Sequence, residues 1–366
     1  MNLAIVYGTR PEFLKLCVLI SSIKNIESIK LIIIRINQHT DLQEDIGCYD
    51  DNINIDILCN NRLNNLGANI LCKLPKYIQN CTHLLAQGDT ATTYYSLLTA
   101  FQMKKKCIHL EAGMRTYDLD NPYPEEAYRQ MISRITDIHL CPSEIEKQYL
   151  MRENVRGNIY VVGNTILDLV RSYQFPNIMG EYVVITLHRR ENWENYDKYL
   201  EAIVNMISLN KNLIFFFLMH PNPYLKNKIL KFMEDKCVPN LILKNQIPHK
   251  ELIKLLSTSY CVITDSGGIQ EEANFLGKHM YVLRKLTERS SIPHNKITIL
   301  GHSELDTLII SDEKHDSGYE YGDGYSVNKI IKILLGETLG WVLTPAVPKP
   351  KSIPQGETMP SFEITN

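Results

Sequence analysis

Anion-binding turns, carboxylates and imidazoles stand where apolar runs of this chain end. The most telling is TDSGGIQEEA, residues 264–273, which follows the run YCVI. Ser266, Gly267 and Gly268 would leave backbone N–H groups uncovered at the start of a helix, where the helix dipole adds positive potential, so the turn suits an anion. Glu271 and Glu272 follow within one turn. A loop that held only phosphate would gain little from them, so they point to a ligand that also carries hydroxyls.

Similar clusters recur along the chain. GTRPEFLK (residues 8–15) sets Arg10 and Lys15 around a helix-starting Pro11, although a basic turn residue is also what a solvated loop shows. GDT (residues 88–90) offers Asp89, which reads equally as a helix N-cap. HLEAGMRT (residues 109–116) places Glu111 at the end of an apolar strand, where a purely structural carboxylate is harder to justify. PYPEEAYR (residues 122–129) brings Glu125 and Glu126 into a first helical turn, a position the dipole alone would favour. TLHRREN (residues 186–192) ends a strand with His188 beside two arginines. MHPNP (residues 219–223) does so with His220, which could also be a satisfied buried imidazole. TERS (residues 287–290) supplies Arg289.

These groups do not describe a metal or cofactor site. No HxH, HExxH or cysteine cluster has ligand spacing, so no metal is expected. GxGxxG is missing after the first strand, where Arg10 and Pro11 occupy the turn that a dinucleotide's pyrophosphate would need bare, and no P-loop is present; no cofactor is expected. What remains is a metal-free diphosphate site with carboxylates and histidines around it.

The elements that must position these residues form a regular series. LAIVY, IKLIIIRI, HLLAQ, CIHLEA, IHLCPS and IYVVGN alternate with amphipathic stretches, and the pattern restarts after residue 180 with YVVITLH, NLIFFFLMH, NLILKN, YCVITDS and HMYVLR. Strands apolar throughout are buried on both faces, and strand–helix alternation implies right-handed crossovers in parallel sheets. The expected fold is α/β, with two Rossmann-like doubly wound parallel-sheet domains: 1–170, carrying Asp89, Glu111 and Glu125, and 171–342, carrying the Ser266 turn. Pro176, Asn177 and Gly180 interrupt the pattern between them. Five of the 16 prolines fall after residue 344, so residues 343–366 read as a Pro-rich tail. A chain of 366 residues suits two such cores.

Lysine plus arginine (39) nearly balances aspartate plus glutamate (41), so no overall field draws the protein to nucleic acid or a membrane surface. Nine cysteines, several inside apolar segments, read as reduced core thiols in the cytoplasm. The N-terminus lacks the pattern of a signal peptide, and no apolar run is long enough to span a bilayer.

Taken together, GTRPE, GDTxTT, EAGxRT, PxPEE, HRREN, HPNP, TDSGGIQEEA, TER and YGDG (residues 321–324) resemble the UDP-N-acetylglucosamine 2-epimerase family in order and spacing. That resemblance implies the glycosyltransferase-B fold, two sheets facing a cleft, and a cofactor-free homodimer interconverting UDP-N-acetylglucosamine and UDP-N-acetylmannosamine for surface polysaccharide synthesis. It assigns Arg10, Lys15, His220, Ser266, Gly267, Gly268 and Arg289 to substrate binding, mostly at the diphosphate, and Glu272 to the uridine ribose. Asp89, Glu111, Glu125 and His188 match the residues of proton transfer and leaving-group departure. HRREN and TDSGG side with the non-hydrolysing branch. TERSS stands where the family has TERPE, and QHTD (residues 38–41) where it has a QHRQ-like stretch tied to allostery by substrate. Relatives that act on other UDP-2-acetamido sugars, including 6-deoxy-L forms, give the alternative substrate. A metal-free glycosyltransferase and a silent nucleotide-sugar binding protein are the rival readings.

Overall fold

A computed structural model describes residues 1–36, 51–53, 62–175, 180–284, 289, 291–311 and 316–337. QHTD, Pro176, Asn177, and the tail 343–366 lie outside the described residues. The first sheet contains seven strands: β1 (Asn2–Tyr7), β2 (Lys30–Ile36), β3 (Asp51–Ile53), β4 (His83–Gln87), β5 (Lys106–Leu110), β6 (Ile138–Cys141) and β7 (Asn158–Val161). The second contains six: β8 (Tyr182–Thr186), β9 (Ile214–Leu218), β10 (Leu241–Lys244), β11 (Cys261–Thr264), β12 (His279–Val282) and β13 (Ile297–Ile299). All pairings are parallel, in the orders β3-β2-β1-β4-β5-β6-β7 and β10-β9-β8-β11-β12-β13. The expected doubly wound α/β fold is therefore present twice.

Each sheet is apolar on both faces because helices cover both. Leu3, Ile5 and Leu85 pack on one side of the first sheet, and Ala4, Val6 and Leu84 on the other. Val183, Ile185 and Phe217 lie on one side of the second, and Val184, Leu218 and Val262 on the other. The order in which strands are added reverses between β1 and β4 in one sheet and between β8 and β11 in the other, so each sheet has its crevice at the carboxyl ends of those strands.

Two helices stitch the halves together. The division drawn at residue 170 falls inside the helix Ile166–Ser172, whose Ile166, Leu167, Leu169 and Val170 pack with Val184 and Val262 of the second sheet. The closing helix Ser326–Leu334 returns to the first half, where Val327 and Ile330 join the cluster around Leu3 and Ile5. Asp168 clamps the crossing by accepting the Ser326 and Val327 amides at 3.1 and 2.9 Å.

Candidate active site

Between the two crevices lies a cavity of about 680 Å³. Its first wall is made by turns after β1, β4 and β5. Gly8 leaves β1 so close to Thr92 that an added Cβ would come within 2.3 Å of that hydroxyl, which lets the first two turns meet. Thr9 and Glu12 then form a capping box that starts the helix Arg10–Ile23. Buried Glu12 does more than cap. It accepts from the Gly8 and Thr9 amides at 2.6 and 2.7 Å and from the Thr90 hydroxyl at 2.5 Å, locking the Arg10 turn to the Asp89 turn.

Glu111 is the wall's centre. Its φ of 65° lies in the left-handed region, a conformation that costs a non-glycine residue on the order of 1 kcal/mol or more and that surroundings must enforce. The Lys15 ammonium pairs with it at 2.5 Å, Gln87 donates to the same oxygen, and Arg289 approaches from the other sheet at 4.0 Å. Burial works against the Lys15 charge, but the carboxylates of Glu111 and Glu271 outweigh it and hold the ammonium above its ordinary range.

Asp89 and Glu125 are set in opposite directions. Burial would raise the Asp89 carboxyl, but the Arg129 guanidinium at 2.6 Å overrides this and holds it below the usual carboxylate range. Glu125 opens the helix Glu125–Ile135, where burial, with a contribution from the Asp89 charge, pushes its carboxyl up. Thr90, not Asp89, caps the helix Ala91–Gln102, which leaves Asp89 to Arg129.

The second wall comes from the ends of β8, β9 and β11. Asp265 accepts the His188 and Arg189 amides at 2.9 and 2.7 Å and lies 3.4 Å from the His188 Nδ1. The His188 ring stacks on His220 with centroids 5.2 Å apart. Burial lowers both imidazoles, so they are held toward the neutral form. Ser266 occupies the N-cap of the helix Gly267–Phe275 but makes no side-chain capping bond, so the first-turn amides are not closed by their own cap. Glu272 accepts from His249 Nε2 at 2.8 Å.

Arg10, Lys15, Asp89, Glu111, Glu125, His220 and Arg289 line the cavity together. His188 stands behind its stacked partner. Ser266, Gly267, Gly268 and Glu272 are outside the lining, on the helix whose Glu271 is 2.6 Å from Arg289. The sequence did not single out Glu12, Gln87, Arg129 or Asp265. Glu12 and Asp265 sit inside motifs that were read for their neighbours, and their spacing one turn from Thr9 and next to Ser266 was the available signal. Arg129 carried none, being one basic residue within a helix. Among the described residues, no group of three or more His, Cys, Asp or Glu could hold a metal ion, and no helix is long and apolar enough to cross a membrane.

Comparison with known proteins follows the same lines. A family model described as UDP-N-acetylglucosamine 2-epimerase matches residues 21–335. The UDP-N-acetylglucosamine 2-epimerase of Campylobacter jejuni is 31% identical over 374 residues, covering 91% of this chain and 97% of the relative. Its namesake from Escherichia coli K12 is 27% identical over 374 residues, covering 91% and 98%. Among solved structures, the UDP-GlcNAc 2-epimerase of Neisseria meningitidis bound to UDP-GlcNAc superposes with a TM-score of 0.79 at 28% identity, covering 92% of this chain and all of that one. An S. aureus MnaA–UDP co-structure superposes with a TM-score of 0.80 at 26% identity, covering 92% and 97%.

Proposed function

The chain belongs to the UDP-N-acetylglucosamine 2-epimerase family, and from that premise we propose that it is the non-hydrolysing enzyme, interconverting UDP-N-acetylglucosamine and UDP-N-acetylmannosamine in the cavity between its sheets. The observation that carries this reading is the placement of Glu111: a carboxylate held in a strained backbone conformation, between Lys15 of one half and Arg289 of the other.

The chemistry explains why such an arrangement is needed. The sugar's C2 hydrogen is not alpha to a carbonyl, so a carboxylate alone would remove it too slowly. As the C1–O bond to UDP breaks, positive character at C1 acidifies the neighbouring C–H, and cations around the diphosphate stabilise the charge that grows on the leaving group. Arg10, Lys15, Arg289 and the amides of Ser266, Gly267 and Gly268 take that part. Glu272 receives the ribose hydroxyls, and His220 lies against the substrate.

Elimination gives 2-acetamidoglucal and UDP. Return of a proton to the opposite face, with UDP adding back, gives the 2-epimer. Two faces require two proton-transfer groups, and Asp89, Glu111 and Glu125 supply carboxylates with divergent proton affinities: Asp89 held low by Arg129 accepts, while Glu125 raised by burial retains a proton to higher pH. His188, oriented by Asp265, assists departure of UDP. Closure of the halves keeps water from the glycal. We place the enzyme in the cytoplasm as a homodimer serving polysaccharide synthesis; the seven described cysteines are free thiols, as a reducing compartment favours.

The test is NMR of UDP-N-acetylglucosamine, and separately of 6-deoxy-L counterparts, incubated with enzyme in heavy water. Deuterium should enter C2 without net loss of UDP-sugar. An unlabelled pool after long incubation would exclude epimerisation of that sugar, and UDP release only on adding an acceptor would favour a glycosyltransferase.

A further inference from the structure

Two glutamates stand next to each other on the helix Gly267–Phe275, and successive helical residues point about 100° apart. Glu272 turns to His249, while Glu271 turns inward and is 1% exposed. A carboxylate taken so fully from water is costly unless paired. Glu271 has two partners from different parts of the fold. One oxygen lies 2.6 Å from the Arg289 Nε, an ion-pair contact in which neither atom makes a hydrogen bond, and the other accepts from the Asn164 side-chain amide at 2.5 Å. Asn164 belongs to the crossing between the sheets: its backbone N–H donates to the Tyr321 carbonyl at 2.6 Å, and its side-chain oxygen accepts from the Ile166 amide.

From this geometry we infer that Glu271 is a positioning residue for Arg289, its charge drawing the guanidinium from the Nε side while Arg289 lines the cavity. This rests on the reading that Arg289 binds the substrate diphosphate. An arginine has a long side chain with several rotatable bonds, and a guanidinium gripped at one edge loses less freedom when it meets a phosphate with the other. The grip also has an origin outside the arginine's own loop. Through Asn164 it is anchored to the segment joining the two halves, so the direction of Arg289 is set by the same crossing that sets how the halves face each other.

The charges around Glu271 come from both halves. Burial raises the Glu271 carboxyl to about 7, with Arg289 pulling it back and Glu111 and Glu146 adding to the rise.

A double-mutant cycle on UDP affinity, measured by calorimetry on the full chain with Glu271→Gln, Arg289→Ala and the pair, tests the inference. Gln keeps the shape and can still accept from Asn164, but offers Arg289 no charge. We expect Glu271→Gln to weaken UDP binding by about 10- to 100-fold and to raise KM more than it lowers kcat, and to add almost nothing once Arg289 is Ala. Losses that multiply in the double variant, or a Glu271→Gln protein with native UDP affinity, would overturn it. If Arg289→Ala leaves UDP affinity intact, the assignment of Arg289 to the diphosphate fails instead, which separates the two ideas. Should Glu271→Gln not fold, Glu271→Asp takes its place: it keeps the charge one methylene short of Arg289, and an unchanged affinity there would count against a positioning role.

Discussion

Among the helices around the cavity, the one after β11 contrasts with those after β1, β4 and β6, although Asn222 after β9 also caps its own first turn. After β1, β4 and β6 the first turn is closed by its own side chain: Thr9 accepts from Glu12, Thr90 from Thr93 and Ser143 from Ile145. After β11 the N-cap is again a serine, Ser266, yet it makes no such bond. Capping a helix with Ser or Thr contributes roughly 1 kcal/mol, so leaving one open forgoes stability that three neighbours keep. On the first wall Lys15 pairs with Glu111 and Arg129 with Asp89, while one Glu125 oxygen is buried without a hydrogen-bond partner. On the second wall the Ser266 side chain leaves the first turn of its helix uncapped, which is where the proposed reading puts the diphosphate. On the proposed reading the first half supplies the proton-transfer carboxylates, and both halves supply cations for the diphosphate, Arg10 and Lys15 from one and Arg289 from the other.

The largest effect that this contrast predicts comes from the first wall. Glu111→Gln should lower kcat by about a thousandfold, the range of general acid–base catalysis. UDP affinity should be kept or strengthened, because removing the anion beside Lys15 and Arg289 frees both cations for phosphate. Steady-state rates with UDP calorimetry check this. A variant that turns over normally would take proton transfer away from Glu111 and erase the distinction between the walls.

A smaller effect distinguishes the walls by acid. His109 is buried on β5 with its Nε2 2.8 Å from the Gly88 carbonyl, directly beneath the Asp89 turn. Burial pushes its imidazole from the ordinary 6.5 down to about 3. Between those values the unfolded chain binds a proton that the folded chain does not, so stability rises with pH across the window and is lost as pH falls from 6.5 toward 3. The slope from this residue is at most about 1.4 kcal/mol per pH unit. Denaturant unfolding at pH 7 and pH 4 should show a shallower dependence for His109→Gln than for the parent. Parallel curves would remove His109 as a source of acid sensitivity. Burial also lowers His139 on β6, so part of the slope survives the substitution.

How much of this was legible in the chain depended on what kind of contact fixed each residue. Strands buried on both faces, such as YVVIT and CVIT, announced themselves as unbroken apolar runs. The edge strands β3 and β13, DNI and ITI, did not, because three residues beside polar neighbours carry no period. Glu111 was legible because a carboxylate at the end of an apolar strand has few structural uses, whereas Asp89 and His220 had structural readings as an N-cap and a buried imidazole and are brought to the cavity only by the fold. Arg129 was hidden because only the approach of one helix to the turn after β4 gives it Asp89. That Glu271 meets Arg289 while Glu272 meets His249 depends on helix rotation against two different partners. The closing helix was legible as a helix, but nothing in SVNKIIKILLG names Leu3 and Ile5 as the surface that it covers.

The finest test of the contrast is a single methyl group. Gly268 lies within the first turn of the open helix at a φ outside the left-handed region, and a Cβ there would meet nothing within 4 Å. Gly113, under the first wall, is the opposite case, with φ at 92° and the Glu146 carbonyl 2.4 Å from an added Cβ. Gly268→Ala should therefore keep or slightly raise the melting temperature, as alanine in a helix is favoured over glycine by roughly 0.5–1 kcal/mol. It should still raise KM severalfold, because the space beside the first-turn amides is where a phosphate must sit. Stability and affinity moving in opposite directions would mark that space as reserved for ligand. Unchanged KM alongside a stabilised fold would mean that the diphosphate lies elsewhere, and the uncapped serine would then have to be explained without an anion.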